Sequence, residues 1–254
     1  MAREIVIDGA LKEKWPDTRL GCFLYTTNVE KKNEELWTYL KQTTFKIVRD
    51  RLFDMSVNEF PNIRESRSAY KAFGKDPSRY RVSSEALIRR VGQGKGLYQV
   101  NTVVDANNLI SIESGFSVGS YDTEKLEGNL ILRIGMPNET YKGIGKEELN
   151  IEGLPLICDE RGLLQFRPRM RKRLILFHDL GIGGVLLHAF NALFARVFRL
   201  VHLRCGDDLA VVGLQHEVAS GIRGLDHELS HVTAPFSTVE RTCRSYTAHR
   251  VRFG

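Results

Sequence analysis

The feature that most constrains the fold of this chain is an abrupt change in residue type near residue 160. Residues 1–160 contain 23 Lys and Arg against 24 Asp and Glu, whereas residues 161–254 contain 14 against 7. All seven histidines and only one lysine, Lys172, follow residue 160. We therefore predict a folded domain over 1–160 and an atypical Arg- and His-rich tail over 161–254. The tail is either a second domain of different origin or, as we prefer, a poorly ordered product of a frameshifted or recombined gene.

The first 160 residues have the pattern of an α+β domain. Short β-branched and aromatic segments at 4–7 and 20–26 predict strands, and apolar spacings of three, four and seven between 33 and 52 predict a helix. Further helices are predicted from 61 to 73, from a Ser83 cap, and from Asn101 to Gly115. Strands are predicted after them, at 130–134, 139–142 and 154–158. Strands, then helices, then strands favour a mixed sheet with packed helices.

Composition excludes several classes of protein. With 42% hydrophobic and 27% charged residues the chain is globular, and its first fourteen residues mix both charges without a secretory apolar run. Four scattered cysteines predict reduced thiols. The apolar stretch 180–195 is too short to span a membrane. These observations predict a cytoplasmic protein without a membrane partner.

Three ordered segments carry a family resemblance: AYKAFGKDPSRYR at 69–81, VNTVVDANNLIS at 100–111 and YKGIGKEELNIEGLPLICDE at 141–160. With the predicted opening strands and first helix, they resemble the B3/B4 domain of phenylalanyl-tRNA synthetase beta subunits, especially its stand-alone bacterial versions. The resemblance covers about residues 1–160. Beyond it the family pattern continues with a Gly- and Pro-containing loop, whereas this chain continues RGLLQFRPRMRKR.

The resemblance implies an RNA-associated function. In the synthetase this module contacts tRNA and has a hydrolytic site that clears mischarged tyrosine. By position in the family pattern, the substrate pocket is expected at Asp105, Asn108, Gly119 and Gly128, with Glu147 as the candidate catalytic carboxylate. Glu147 could hold a substrate ammonium; the alternative is a solvated turn residue. Gly119 stands where many synthetases have a histidine, so a site that used imidazole as a general base would lack it.

A cluster of basic residues with interleaved aromatic rings indicates a second candidate surface. Cations contact phosphates, and aromatic rings can stack on exposed bases. The alternative is an ordinary solvated helix face whose aromatic residues point into the core. The predicted RNA-binding residues are Lys75, Arg79, Arg81, Arg89, Arg90 and Lys95.

The tail contains one motif with a defined chemistry, the HExxH match at 227–231. On a helix, His227 and His231 would bind zinc while Glu228 polarised a metal-bound water. Pro235 would end such a helix early, and no third ligand has a defined position, so we predict no metal and no other cofactor.

The leading hypothesis is a module that binds tRNA or aminoacyl-tRNA, with no DNA partner. Whether it also acts in trans as an ester hydrolase on mischarged tRNA is open. The alternatives are a non-catalytic amino-acid or metabolite binding protein and a zinc hydrolase that uses the tail motif. We do not expect a complete tRNA ligase, because these 254 residues leave no room for an ATP-using catalytic domain.

Overall fold

The computed structural model describes residues 3–142, 148–163, 171–179, 212–213 and 251–253. Its helices are α1 Gly9–Lys14, α2 Glu34–Tyr39, α3 Phe45–Asp54, α4 Pro61–Ala72, α5 Ser83–Gly92 and α6 Thr102–Ser114. Its strands are β1 Arg3–Ile7, β2 Leu20–Asn28, β3 Val118–Asp122, β4 Leu130–Ile134, β5 Thr140–Lys142, β6 Glu148–Asn150, β7 Pro155–Asp159, β8 Gly162–Leu163, β9 Arg171–Asp179, β10 Val212–Gly213 and β11 Val251–Phe253. The predicted α+β fold is confirmed.

In the described part of the chain, two sheets lie beside a small β5–β6 pair of strands. One sheet has the order β11-β1-β4-β7-β8, in which β1 and β4 are parallel and the other pairs are antiparallel. The other has the order β10-β2-β9-β3 and is antiparallel throughout. Strand β9 therefore lies between β2 and β3, although it comes from the segment after residue 160. The mixed sheet agrees with the prediction.

The largest hydrophobic core lies between the helices. Its centre includes Leu36, Leu40, Ile63, Ile88 and Leu109, which are fully buried. Burial of such side chains away from water is the dominant favourable term in folding. A smaller core joins α1 and the end of α4 to β1, β2 and β4. Helices α2 and α3 are joined by one π-helical turn, Leu40–Thr44, so helix runs from residue 34 to 54 where the apolar spacing predicted 33 to 52.

Helix α6 is the most buried helix, and its ends follow the sequence signals. The Asn101 side chain accepts hydrogen bonds from the backbone N–H groups of Val103 and Val104, at 3.1 and 2.9 Å. Gly115 ends the helix with a left-handed φ of 77°, which glycine adopts without steric cost. Asn107 of this helix accepts a hydrogen bond from Ser120 of β3, so α6 holds that strand in place.

The structure corrects one sequence expectation and adds one strand that the sequence did not predict. Ser83 is the first residue of α5 and not its cap; the capping position is Val82, whose side chain makes no capping hydrogen bond. Strand β3 was not predicted, because GFSVGSYD lacks a clear strand pattern and its pairing partner β9 lies far along the chain. Among the helices that the structure describes, none has the length and apolar character needed to cross a membrane.

Candidate functional site

A cavity of about 320 Å³ lies between the edge strand β3 of one sheet and strands β4, β7 and β8 of the other. Its volume falls at the lower end of the range for small-ligand pockets. The lining residues are Ser83, Ser117, Val118, Gly119, Tyr121, Leu132, Tyr141, Pro155, Leu156, Ile157 and Leu163. The N-terminal residue of α5 thus closes one side, and residues of β3, β4, β5, β7 and β8 provide the remaining walls.

The described lining of this cavity carries no charged side chain. Its polar groups are the hydroxyls of Ser83, Ser117, Tyr121 and Tyr141, set among aliphatic side chains. A zwitterion or a free carboxylate entering such a surface would lose hydration without a matching ion partner. The lining therefore suits an uncharged or aromatic group of limited size.

Gly119 is the predicted pocket residue that lines the cavity. A Cβ atom built on it would meet the Tyr121 hydroxyl at 3.4 Å and the ring edge at 3.5 Å, which are ordinary contacts. Residues 119 and 121 lie on the same face of β3, because side chains alternate along a strand. A larger side chain at position 119 would therefore pack against the Tyr121 ring and reduce the cavity.

Asp105 and Asn108 do not line the cavity. Asp105 is buried and binds two other elements: the Trp37 indole N–H donates to it over 2.7 Å, and the Val100 backbone N–H donates over 3.1 Å. Desolvation raises the pKa of Asp105, and these two hydrogen bonds oppose that rise. Asn108 is half-buried on α6, and its neighbour Asn107 accepts a hydrogen bond from the Ser120 hydroxyl at 2.9 Å.

Gly128 lies in the turn that leads into β4 and is outside the cavity lining. Its φ of 65° is in the left-handed region, and the Glu160 carboxylate packs against its Cα face. This position requires glycine for backbone reasons. Glu147 and the tail residues His227, Glu228 and His231 lie outside the described residues. Within the described ranges, no cluster of three potential metal ligands is present.

Sequence reasoning missed most of the polar lining, namely Ser83, Ser117, Tyr121 and Tyr141. Tyr121 could have been found from Gly119, because positions two apart share a face of a strand. The others come from separate elements that only the tertiary fold brings together. The two thiols in the described ranges are not candidates: burial raises the pKa of Cys22, and desolvation raises the pKa of Cys158, so neither is an activated nucleophile.

The structure divides the predicted RNA-binding cations into two groups. Arg89 forms an ion pair with the buried Glu85 at 2.8 Å and donates to the Asn58 side chain at 2.6 Å. Arg67 forms a second ion pair with Glu85, at 3.0 Å. The charge of Arg89 is therefore paired within the protein, and its side chain links α5 to Asn58. The sequence indicated the pair with Glu85, because the two residues are four positions apart on one helix.

The other cations face solvent or aromatic rings. Arg79, Arg81 and Lys95 are exposed. The Lys75 ammonium lies 4.9 Å from the centre of the Tyr80 ring, and the Arg90 guanidinium lies 4.3 Å from that of Tyr98. Such contacts are favourable cation–π arrangements. The exposed side of α5 and its flanking loops thus presents positive charge and aromatic rings together.

The described residues thus combine an α+β fold, a small neutral cavity, and exposed cations in the loops that flank α5. Residues 65–173 match the family model described as the B3/4 domain. The chain is 25% identical over 134 residues to the phenylalanine-tRNA ligase beta subunit of Mycoplasma genitalium, covering 52% of this chain and 17% of that protein. It is 31% identical over 68 residues to the corresponding subunit of Brucella abortus, covering 26% of this chain and 8% of that protein.

One solved structure is also similar, an N-terminal fragment of the phenylalanyl-tRNA synthetase beta subunit from Pyrococcus horikoshii. The similarity has a TM-score of 0.36 and 12% identity, and covers 79% of this chain and 49% of that one. This chain spans less than a fifth of the length of the two curated relatives named above. The chain contains a B3/B4-like domain.

Proposed function

We propose that this chain is an RNA-associated module that binds tRNA or aminoacyl-tRNA and receives the aminoacyl group in the cavity between its two sheets. The observation that carries the proposal is the position of Ser83, which lines the neutral cavity at the start of α5. The last turn of this helix carries Arg90, and its flanking loops carry the exposed cations. The helix α5 therefore lies beside both the cavity and a positively charged surface that could contact phosphates.

The neutral lining favours an esterified amino acid over a free one. In aminoacyl-tRNA the carboxylate is an ester and carries no charge, so it does not need a cationic partner in the cavity. A free amino acid brings a carboxylate that none of the described lining residues can neutralise. Binding of a free amino acid or metabolite is for this reason the weaker alternative.

Ester hydrolysis is a further step of this proposal. A hydrolytic site needs a positioned water and a group that takes its proton. The described lining offers hydroxyl groups but neither a carboxylate nor an imidazole. Glu147 is the candidate base, and Glu147→Gln should abolish hydrolysis of mischarged tRNA while leaving tRNA affinity within about twofold.

RNA binding is tested by titrating the full chain with deacylated tRNA over a salt series. We expect affinity to fall with salt, with each phosphate contact contributing about 0.7–0.9 to the slope of log K against log salt. The double substitution Arg79→Gln and Arg81→Gln should lower that slope. The matched control replaces Lys31 and Lys32, which are exposed and lie outside the cluster. Absence of salt-sensitive binding at low ionic strength would refute the proposal.

Occupation of the cavity is tested separately with Gly119→Leu. The new side chain should fill part of the hollow, so preference for aminoacylated over deacylated tRNA should fall at least fivefold while affinity for deacylated tRNA is kept. Stabilisation of the protein by free amino acids in thermal unfolding, without affinity for tRNA, would favour the metabolite-binding alternative.

A further inference from the structure

The loop between α5 and α6 presents an aromatic ring to solvent in a fixed position. Tyr98 is 72% exposed, and the adjacent Val100 is 53% exposed. A tyrosine ring exposed to this extent does not gain the free energy of burying its apolar surface, which is unusual for so large an aromatic side chain. The ring therefore has a surface available to an external partner.

The loop that carries Tyr98 is attached at both ends. The Lys95 backbone N–H donates to the Arg90 carbonyl at 3.1 Å, and the Val100 N–H donates to the buried Asp105 carboxylate. Between these points Leu97 packs against the helical core. Tyr98 is consequently held by its neighbours, and stacking on it requires little additional ordering.

One face of the Tyr98 ring is covered by a cation. The Arg90 guanidinium lies 4.3 Å from the ring centre, and Arg90 Nε is buried without a hydrogen-bond partner among the described residues. Arg90 also forms no ion pair with any carboxylate in the described ranges. Its positive charge is thus not neutralised locally, and the opposite face of the ring remains open.

On the loop and the helix that hold the ring, the exposed charges are of one sign. Segment 93–101 contains Lys95 and no acidic residue. On α5 the one carboxylate is Glu85, which is buried in its ion pairs with two arginines. A flat aromatic surface backed by a guanidinium, on a loop and helix without exposed carboxylates, matches the way proteins hold unpaired nucleobases beside phosphates.

The ring and the cavity are connected by one rigid element. Ser83 lines the cavity and Arg90 follows it by seven residues on α5, which corresponds to about 10 Å along the helix axis. We propose that the open face of Tyr98, backed by Arg90, stacks an unpaired nucleobase of an RNA strand whose end approaches the cavity. The proposal rests on the proposed function and adds to it the single-stranded part of the RNA as the recognised element.

The test compares Tyr98→Ala with Phe53→Ala in the full chain. Phe53 is 92% exposed on α3 and is the matched control for loss of an exposed aromatic ring. The probes are deacylated tRNA, the same tRNA without its unpaired 3′ nucleotides, and a blunt RNA duplex. Tyr98→Ala should weaken binding of intact tRNA about 5- to 100-fold, with the salt slope unchanged because no phosphate contact is lost. Tyr98→Phe should retain affinity, and Phe53→Ala should have no effect.

A second measurement reports stacking directly. A fluorescent adenine analogue placed at each unpaired 3′ position should be quenched by the wild-type protein at one position and remain bright with Tyr98→Ala. Salt-sensitive tRNA binding that is equal in Tyr98→Ala and Phe53→Ala would overturn this inference and leave the proposed function intact. Equal losses with intact tRNA and the blunt duplex would also overturn it. Absence of tRNA binding by the wild-type chain would refute both.

Discussion

Substitution of Glu85 by Gln should destabilise the protein more than any change at an exposed ion pair. The Glu85 side chain is fully buried and contacts Arg67 of α4 and Arg89 of its own helix, at 3.0 and 2.8 Å. Gln has nearly the same shape and keeps one acceptor oxygen. The substitution therefore removes the charge while preserving the packing.

The magnitude follows from the burial of the three partners. Removing one member of a buried ion pair costs about 3–5 kcal/mol when the remaining charge cannot reach water. Here the Arg67 and Arg89 side chains are 19% and 33% exposed, so both recover part of their hydration. We expect a loss of about 3 kcal/mol, which is a large share of the total stability of about 5–15 kcal/mol for an ordinary domain.

Urea unfolding followed by circular dichroism measures this loss. The matched control is Glu127→Gln, because the Glu127–Arg161 pair has a similar contact distance of 2.8 Å but side chains that are 59% and 57% exposed. That control should cost less than about 0.5 kcal/mol. A loss below about 1 kcal/mol for Glu85→Gln, or one equal to the control, would show that the buried charges do not join α4 to α5 as argued.

Four further substitutions have expected outcomes that unfolding experiments can check. Gly128→Ala should cost about 1–3 kcal/mol because of its left-handed φ of 65° and the carboxylate packed against it, whereas Gly119→Ala should be neutral or stabilise by up to about 1 kcal/mol. Arg133 lowers the pKa of Glu139 to about 2, so this pair stabilises the fold above about pH 4.5 and loses that effect as the pH falls towards 2. Glu139→Gln should therefore cost about 2 kcal/mol at pH 7 and almost nothing near pH 2. Asp105→Asn should cost about 1–3 kcal/mol and shift the tryptophan fluorescence, because its amide would oppose an N–H donor; an unchanged spectrum would contradict this.

The helices and their ends were largely predictable from the sequence. Asn101 and Gly115 mark the ends of α6 because an amide side chain and a left-handed glycine satisfy exposed backbone groups locally. Such signals depend on neighbours within four residues. Ser83 misled the prediction because a serine just before an apolar periodic segment is equally compatible with the first helical position.

The site was less predictable because its parts come from different elements. Of the predicted pocket residues, Gly119 lines the cavity between the two sheets, whereas Asp105 turns towards Trp37 and Val100. That this cavity receives a substrate stays a prediction. A carboxylate in a helical sequence does not reveal whether it faces a cavity or an indole. Likewise, the ion pair between Glu85 and Arg67 joins two helices, so no spacing within one helix predicts it.

The position of β9 has a consequence for the order in which the chain can fold during synthesis. Its nine residues pair with β2, from Leu20 opposite Asp179 to Asn28 opposite Arg171, so the two strands are separated by more than 140 residues. Contacts this distant in sequence slow folding, because a long loop must close before they form. Until residue 179 leaves the ribosome, β2 and β3 expose unpaired backbone edges to other nascent chains. The first strands made are therefore among the last to be completed.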